Sequence, residues 1–411
     1  MHDWRPAFPA SGRCKPRYRP GAGRLLERIG NARHSASSNT VQVKSTALFA
    51  LGFRPFYLLA GGYAAASVAI WALQYAGALP GANLYWHAHE MLFGYAFAVI
   101  AGFLLTAVRA WSGLPTATGA ALAGLAGLWI GARVLALYSS PLGAMTDMVF
   151  ALGVACAIGR PLVAANNRRN WFFIVLVVAI GGASLLFQAY PRVGVALGLD
   201  LVLFIMAVVA GRVVPGFTNN AVPGAGARRI ATLERAALGA LLVLLALDAL
   251  ELPALAGAVA AVAAVLHGWR LALWAPLRAR GLPILWILHL SYGWIVLHLA
   301  LRSLAAFGST SPALAIHALT VGAIGGLTLG MMTRTARGHT ARPLSTGRAE
   351  LLAYILVQAA AVVRVLVPLV IPGAHAASVG LSAFLWTSAF AVFTVRYFPI
   401  LSRARLDGRP G

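Results

Sequence analysis

Apolar runs of about 20 residues recur through this chain, and each has the length that an α-helix needs to cross a bilayer. Of the 411 residues, 60% are hydrophobic and only 10% are charged, which is more apolar surface than a soluble core requires. Turn-forming pairs such as Pro80-Gly81 and Pro223-Gly224 separate the runs. The sequence therefore predicts an all-α fold, a polytopic bundle that spans a membrane.

Twelve such runs follow one another from Phe56 onward, and we predict one transmembrane helix for each. They cover residues 56–79, 84–109, 116–138, 142–163, 170–190, 194–216, 230–250, 253–275, 283–304, 312–334, 350–371 and 376–398. The predicted transmembrane domain is 49–400. Residues 1–48 are polar and rich in arginine, glycine, proline and serine, which predicts a disordered basic cytoplasmic tail. Residues 401–411 are predicted to form a short basic cytoplasmic tail.

The formal net charge of +23 would suggest a nucleic-acid partner in a soluble protein, but here the placement of the charges explains it. With the N-terminal tail in the cytoplasm, 29 of the 33 Lys and Arg residues fall on the cytoplasmic side. The four in the outer half are Arg133, Arg192, Arg302 and Arg364. This asymmetry predicts an even number of spans, both termini in the cytoplasm, the lipid bilayer as the surrounding medium and no nucleic-acid partner.

Histidines inside the apolar runs are the second informative feature, because polar and ionisable groups are costly in hydrocarbon. At a rise of about 1.5 Å per residue, His89, His298 and His317 lie at similar depths near the outer ends of their helices. His87 lies just above this layer. We predict an outer metal site formed by His87, His89, His298 and His317. Glu90 is the candidate for a catalytic role, either orienting a histidine or relaying a proton.

A second layer contains His267 and His289, near the inner ends of their helices. His289 and His298 are nine residues apart and lie on opposite faces of one helix, so they cannot serve the same centre. We predict a cofactor site at His267 and His289, with Arg270 close enough to pair with haem propionates. Two facing histidines suit a six-coordinate haem, whereas three or more imidazoles suit copper or a haem that binds a small ligand.

Cys14 and Cys156 are the only cysteines and no CxxCH motif occurs, so any haem would be non-covalent and ligated by histidine. The alternative interpretation is that these histidines bind no cofactor and only form hydrogen bonds with neighbouring helices.

Several segments together resemble the NnrS family of bacterial inner-membrane proteins. They are FRPFYLL (53–59), WHAHEMLFG (86–94), AGFLLTAV (101–108), HGWR (267–270), LHLSY (288–292), HALTVGAIGG (317–326) and GMM (330–332). The resemblance extends from about residue 48 to the end of the chain. It implies twelve transmembrane helices in the bacterial inner membrane, haem and copper as cofactors, and a role in resisting nitric oxide stress alongside denitrification.

The residues and the resemblance together predict a haem and copper membrane metalloprotein that binds or handles nitric oxide and protects against nitrosative stress. If it also removes nitric oxide by redox turnover, it needs an electron donor, which the sequence does not identify. The alternative is a multi-span transporter of metal ions or protons that uses the same histidines. A relative of the haem–copper oxidases is disfavoured, because the chain lacks the adjacent His-His pair and the late His-x-His that their centres require.

Overall fold

The computed structural model describes residues 47–81 and 83–409, and within these ranges every regular element is a helix. The all-α prediction is therefore confirmed for the described part of the chain. The predicted N-terminal tail lies outside the described residues, apart from its last two positions. The C-terminal tail is described as far as residue 409 and follows a helix that ends at Leu401.

The described chain forms long helices joined by short loops, and we number them in chain order. They are α1 (Phe53–Tyr75), α2 (Leu84–Ser112), α3 (Gly119–Tyr138), α4 (Ser140–Ala164), α5 (Arg168–Ala189), α6 (Pro191–Ala221), α7 (Ala231–Ala249), α8 (Pro253–Leu273), α9 (Pro283–Ala306), α10 (Pro312–His339), α11 (Arg348–Val370) and α12 (Pro372–Leu401). Eleven of them are long and apolar enough to cross a membrane, which shows a multi-pass membrane protein.

The remaining helix, α7, matches the predicted seventh run but carries Glu234, Arg235 and Asp248 within 19 residues. Two of these charges are neutralised by neighbouring helices. Glu234 pairs with Arg270 of α8, and Asp248 pairs with Arg302 of α9. The exact number of spans and the side on which each terminus lies stay predictions.

The helices pack in an order that repeats every four helices. α4 lies against α5, α8 against α9, and α12 against α1, while α3, α7 and α11 each lie against the helix that follows. The three corresponding helices α2, α6 and α10 include the most buried spans of the bundle. We divide the bundle into three units of four helices, α1–α4, α5–α8 and α9–α12, whose second helices, α2, α6 and α10, are the central ones. The cavities described below lie along these three central helices.

Side-chain caps fix where two of the central helices begin. The Asn83 side chain accepts hydrogen bonds from the backbone N–H groups of Tyr85 and Trp86, and the Ser311 side chain accepts one from Ala313. Such caps satisfy N–H groups that have no partner within the helix. They fix the N-terminal ends of α2 and α10, whose first six residues contain His87, His89 and His317.

Three π-helical segments interrupt the long helices. In α2 the α-helix ends at His89 and a π-helix runs over Glu90–Ala96, and in α10 the α-helix ends at His317 and a π-helix runs over Ala318–Gly325. The third, Val362–Leu366 in α11, contains Arg364. Isolated π-helical turns are rare in proteins, and those that do occur are often found at functional sites. They direct attention to the N-terminal ends of α2 and α10.

Candidate metal site

A small cavity lies between the N-terminal parts of α2 and α10. Its volume is about 90 Å³, and its wall includes His87 and Met91 of α2 together with His317 of α10. His87 and Met91 are four residues apart, so they share one face of the helix. The cavity therefore brings two imidazole rings and one thioether together from two helices.

Both imidazoles retain a ring nitrogen that can bind a metal. Nδ1 of His317 lies 2.7 Å from the carbonyl oxygen of Ala313, which can only accept, so Nδ1 carries the proton and Nε2 keeps its lone pair. Metal-bound histidines commonly donate their other N–H to a backbone carbonyl in this way. Nδ1 of His87 is buried and has no hydrogen-bond partner among the described residues, and the ring stacks on Trp71 at 4.2 Å.

His89 is not part of the cavity wall and lies in a separate polar cluster. Its Nδ1 is 2.8 Å from Oε1 of Glu90, and its Nε2 is 3.0 Å from the hydroxyl of Ser184. That hydroxyl donates its own hydrogen to Oδ2 of Asp147, so it accepts a hydrogen bond from the N–H at Nε2. Both ring nitrogens of His89 are therefore occupied, and this geometry gives no support to the predicted metal ligation by His89.

Arg133 of α3 completes this cluster, to which each of the helices α1 to α5 contributes a side chain. Its Nη1 donates to Oε2 of Glu90 at 2.7 Å, and its Nη2 donates to Asp147. Tyr63 of α1 also donates to Oε2 of Glu90. Glu90 is 1% exposed, its two oxygens bond to these donors and to His89, and it is not among the residues that line the cavity. Its catalytic role stays a prediction.

Arg364 stands out from the other arginines predicted in the outer half. Arg133 and Arg302 each pair with two carboxylates of the bundle. Arg364 is 8% exposed, and its Nη1 is buried without a hydrogen-bond partner among the described residues. Its π-helical segment, Val362–Leu366, packs against the first turns of α10, Pro312–His317. The helix end that carries His317 is therefore packed against a segment with a positive charge that no carboxylate of the described residues compensates.

His298 is buried against the start of α10. Its Nδ1 is 2.7 Å from the carbonyl oxygen of Ala315, so Nε2 is the unprotonated nitrogen, and Nε2 has no partner among the described residues. The ring is not among the residues that line the 90 Å³ cavity. Its predicted ligation stays a prediction. Across the described residues, no three His, Cys, Asp or Glu side chains converge as a metal site, so the predicted outer four-histidine set is divided.

At the second predicted site, His267 and Arg270 belong to a closed hydrogen-bonded chain. Nδ1 of His267 is 2.6 Å from the hydroxyl of Tyr292, and its Nε2 is 3.2 Å from the carbonyl oxygen of Ala237. Arg270 donates to the same hydroxyl at 2.7 Å and to both carboxylate oxygens of Glu234 at 2.8 and 2.7 Å. No nitrogen of His267 is left for a metal, and Arg270 has no free edge for a haem propionate.

His289 differs from its predicted partner. Its Nε2 lies 2.9 Å from the hydroxyl of Thr218, which itself donates to the carbonyl oxygen of Val214. Nε2 therefore carries the proton, and Nδ1 is left buried without a partner among the described residues. One of the two predicted haem ligands thus has a free nitrogen. The arrangement around His267 and His289 does not fit a porphyrin held between them.

Room of the size that a porphyrin needs lies elsewhere. Two cavities of about 480 and 390 Å³ open at the C-terminal end of α2, and they share Phe103, Trp111 and Val213. Pockets for ligands of that size typically measure about 300–1,000 Å³. The first is lined by Arg212 and the second by Arg334, and His339 also lines the second.

An apolar cavity of about 60 Å³ lies between these large cavities and the 90 Å³ cavity. Side chains of α2, α6 and α10 form most of its wall, among them Ile100, Ile205 and Thr328. Thr328 and Tyr95 share a hydrogen bond of 2.5 Å, and Tyr95 also lines the 90 Å³ cavity. One hydrogen-bonded pair therefore lies between the apolar cavity and the candidate metal site.

Sequence reasoning missed Met91 and did not single out Arg364. The signal for Met91 was its spacing of four residues from His87, which places both on one helix face. Arg364 had no such signal, because topology alone accounts for most arginines in a membrane protein. Its importance becomes visible only when the carboxylate partners of Arg133 and Arg302 are known.

The chain matches a known protein family over nearly its whole length. The family model described as NnrS protein matches residues 47–405, a range that contains all twelve long helices and every side chain of the candidate site. No curated protein matches the chain.

Proposed function

Because this chain belongs to the NnrS family, we propose that it is an inner-membrane metalloprotein of the nitric oxide stress response and binds nitric oxide at a copper ion held by His87, Met91 and His317. The observation that carries the proposal is the shared cavity. Two imidazoles, each with an available nitrogen, and one thioether line about 90 Å³ between α2 and α10. That volume suits a metal ion with a small ligand.

The donor set favours cuprous copper over other metals. Imidazole suits copper, and thioether sulfur selects the soft monovalent ion. A structural or catalytic zinc site takes three or four His, Cys, Asp or Glu ligands, and no such group converges within the described residues. The positive charge of Arg364 repels a bound cation in proportion to the charge of that cation. A monovalent ion is therefore less disfavoured here than a divalent one.

The chain's own residues hold and orient the site. The carbonyl of Ala313 accepts a hydrogen bond from Nδ1 of His317 and so leaves Nε2 available to a metal. The Trp71 ring stacks on His87 and restricts rotation of its imidazole. Arg364, whose segment packs against Pro312–His317, supplies a buried cationic hydrogen-bond donor on the His317 side of the site, where it stabilises negative charge on a ligand. Cuprous copper, when bound, supplies a centre at which nitric oxide coordinates.

Access to the site suits a small uncharged molecule. The 60 Å³ cavity on the other side of Tyr95 is almost wholly apolar, and water occupies about 30 Å³ per molecule in the liquid. The space therefore accommodates one or two diatomic molecules and is unfavourable for ions. Nitric oxide, which concentrates in lipid, meets these conditions.

Haem remains the second cofactor that the family resemblance implies. His267 and Arg270 do not fit it, because their nitrogens are already hydrogen-bonded. The proposed function does not depend on haem.

A transporter is the second candidate function, and one observation favours it. Cavities lie in series along α2, α6 and α10, and the Tyr95–Thr328 hydrogen bond lies between two of them. Sites at the midplane between broken helices are typical of transporters. Uptake of a radioactive metal ion by proteoliposomes, abolished in His317→Ala, would favour transport over nitric oxide binding.

The direct test of the proposal is infrared spectroscopy of the purified protein, loaded with cuprous copper and exposed to nitric oxide. We expect an N–O stretching band that shifts with ¹⁵NO and is absent in His317→Ala. His267→Ala is the control, because both of its ring nitrogens are hydrogen-bonded, and it should keep the band. A loaded protein without the band, or a band that persists in His317→Ala, would contradict the proposal.

A further inference from the structure

α2 and α10 are two copies of one structural element. Their corresponding residues are 228 positions apart in the sequence. In both helices a side-chain cap precedes the first turn, the sixth residue is histidine, and a π-helical segment begins at the next residue. The corresponding pairs are Asn83 and Ser311, His89 and His317, Gly94 and Gly322, and Gly102 and Gly330.

The contacts of the two copies also correspond. A methyl group at Gly94 would meet the ring of Tyr63 on α1, and one at Gly322 would overlap the ring of Trp294 on α9. Tyr63 and Trp294 are 231 positions apart. The same offset relates the neighbours of the next glycine pair: Gly102 packs on Phe56 and Tyr57, and Gly330 packs on Ile287 and Leu288. The match thus holds in three dimensions and covers two helices of each unit.

The offset of 231 extends to the next helices, α3 and α11, where it pairs Arg133 with Arg364. Each copy therefore contains one histidine at a π-helix boundary and one buried arginine. In the first copy the carboxylate of Glu90 joins them, with Oε1 at 2.8 Å from His89 and Oε2 at 2.7 Å from Arg133.

The second copy lacks this carboxylate. Ala318 occupies the position of Glu90, and Ser378 lies 231 residues after Asp147. Arg364 accordingly keeps a buried N–H without a partner among the described residues, and His317 faces the 90 Å³ cavity. Leaving a guanidinium buried without an anion is costly. The second copy thus has the arginine of the first, packed against the helix end that carries His317, but it has no carboxylate to pair with that arginine.

We infer that the second copy binds a small planar monoanion with two oxygens, of the nitrite or formate type, between Arg364 and the His317 side of the cavity. The anion pairs with Arg364 as the Glu90 carboxylate pairs with Arg133 in the first copy. Two oxygens on one atom match the guanidinium fork, as carboxylates do. In the liquid about three water molecules occupy 90 Å³, so a cavity of this volume has room for a triatomic anion.

The identification of nitrite within this class rests on the proposed function. Nitrite is the anion that nitric oxide becomes on one-electron oxidation in water. The anion site itself does not require copper, because Arg364 belongs to the protein. The two proposals can therefore fail separately.

The test is calorimetric titration of the full-length, metal-free protein in detergent with sodium nitrite and with sodium formate. We expect both to bind the native protein and to bind Arg364→Gln about tenfold or more weakly, the cost of one charge-assisted hydrogen bond. Ala318→Glu restores the carboxylate of the first copy. It should abolish anion binding and raise the thermal unfolding temperature above that of Ala318→Gln, which has the same size without the charge.

Three outcomes would overturn the inference. The first is no binding of either anion to the native protein, with or without copper. The second is equal binding by the native protein and Arg364→Gln. The third is that Ala318→Glu unfolds at the same temperature as Ala318→Gln while still binding nitrite. If anions bind as expected but cuprous copper does not, the anion site stands and the proposed function fails.

Discussion

Replacement of Arg133 by methionine is expected to lower the free energy of unfolding by about 3–5 kcal/mol, the usual cost of removing one partner from a buried ion pair. Arg133 is 6% exposed and donates to both Glu90 and Asp147, which are 1% and 0% exposed. Without the guanidinium, two carboxylates remain buried with only His89 as a possible cation. Unfolding in mixed detergent micelles, followed by circular dichroism, measures the change.

Two controls separate this effect from a general sensitivity of the bundle. Arg192→Met removes an arginine from an exposed position, and it should stay within about 0.5 kcal/mol of the native protein. The triple variant Arg133→Met, Glu90→Gln, Asp147→Asn removes the unpaired charges together, and it should recover part of the loss. An Arg133→Met protein as stable as Arg192→Met would show that the cluster does not hold these helices together.

Replacement of His317 by alanine is expected to weaken cuprous copper binding by more than about 100-fold, because even the outer partners of metal ligands cost 10–100-fold when they are removed. His317 is one of two imidazoles in the cavity wall, and its Nε2 is unprotonated. Competition with a chromophoric cuprous chelator gives the affinity. His267→Ala is the matched control and should bind copper as the native protein does. Equal losses in the two variants would mean that copper binding follows overall folding.

The helices and their approximate ends could be predicted from the sequence, because apolar runs of spanning length have few alternatives in a membrane. The seventh run, predicted at 230–250, became α7 at Ala231–Ala249. The π-helical segments were not predictable from hydrophobicity, since they change the backbone without changing composition.

The candidate site was predicted only in part, because depth along a helix does not determine the face on which a side chain lies. His87 and His89 are two residues apart and diverge by about 200°. One lines the cavity and the other joins the cluster of Glu90 and Arg133. Whether a histidine keeps a free nitrogen depends on neighbours far away in sequence, such as Ser184 for His89 and Tyr292 for His267.

The relation between α2 and α10 was hidden for a similar reason. Apolar residues in packed helices replace one another readily when size and pattern are kept. What persists is a small set of residues with a specific role, such as His89 and His317 at the π-helix boundary or Gly94 and Gly322 under an aromatic ring. The correspondence between the two helices is visible in the contacts of these residues, which match in the two copies.

The central claim is that His87, Met91 and His317 form one copper site, and X-ray absorption at the copper edge of the cuprous protein tests it most directly. The account predicts two imidazole nitrogens and one sulfur around copper. Met91→Leu should lose the sulfur and keep both nitrogens, and His317→Ala should lose one nitrogen. A spectrum with three or four imidazoles and no sulfur, or one that is unchanged in His317→Ala, would contradict the claim.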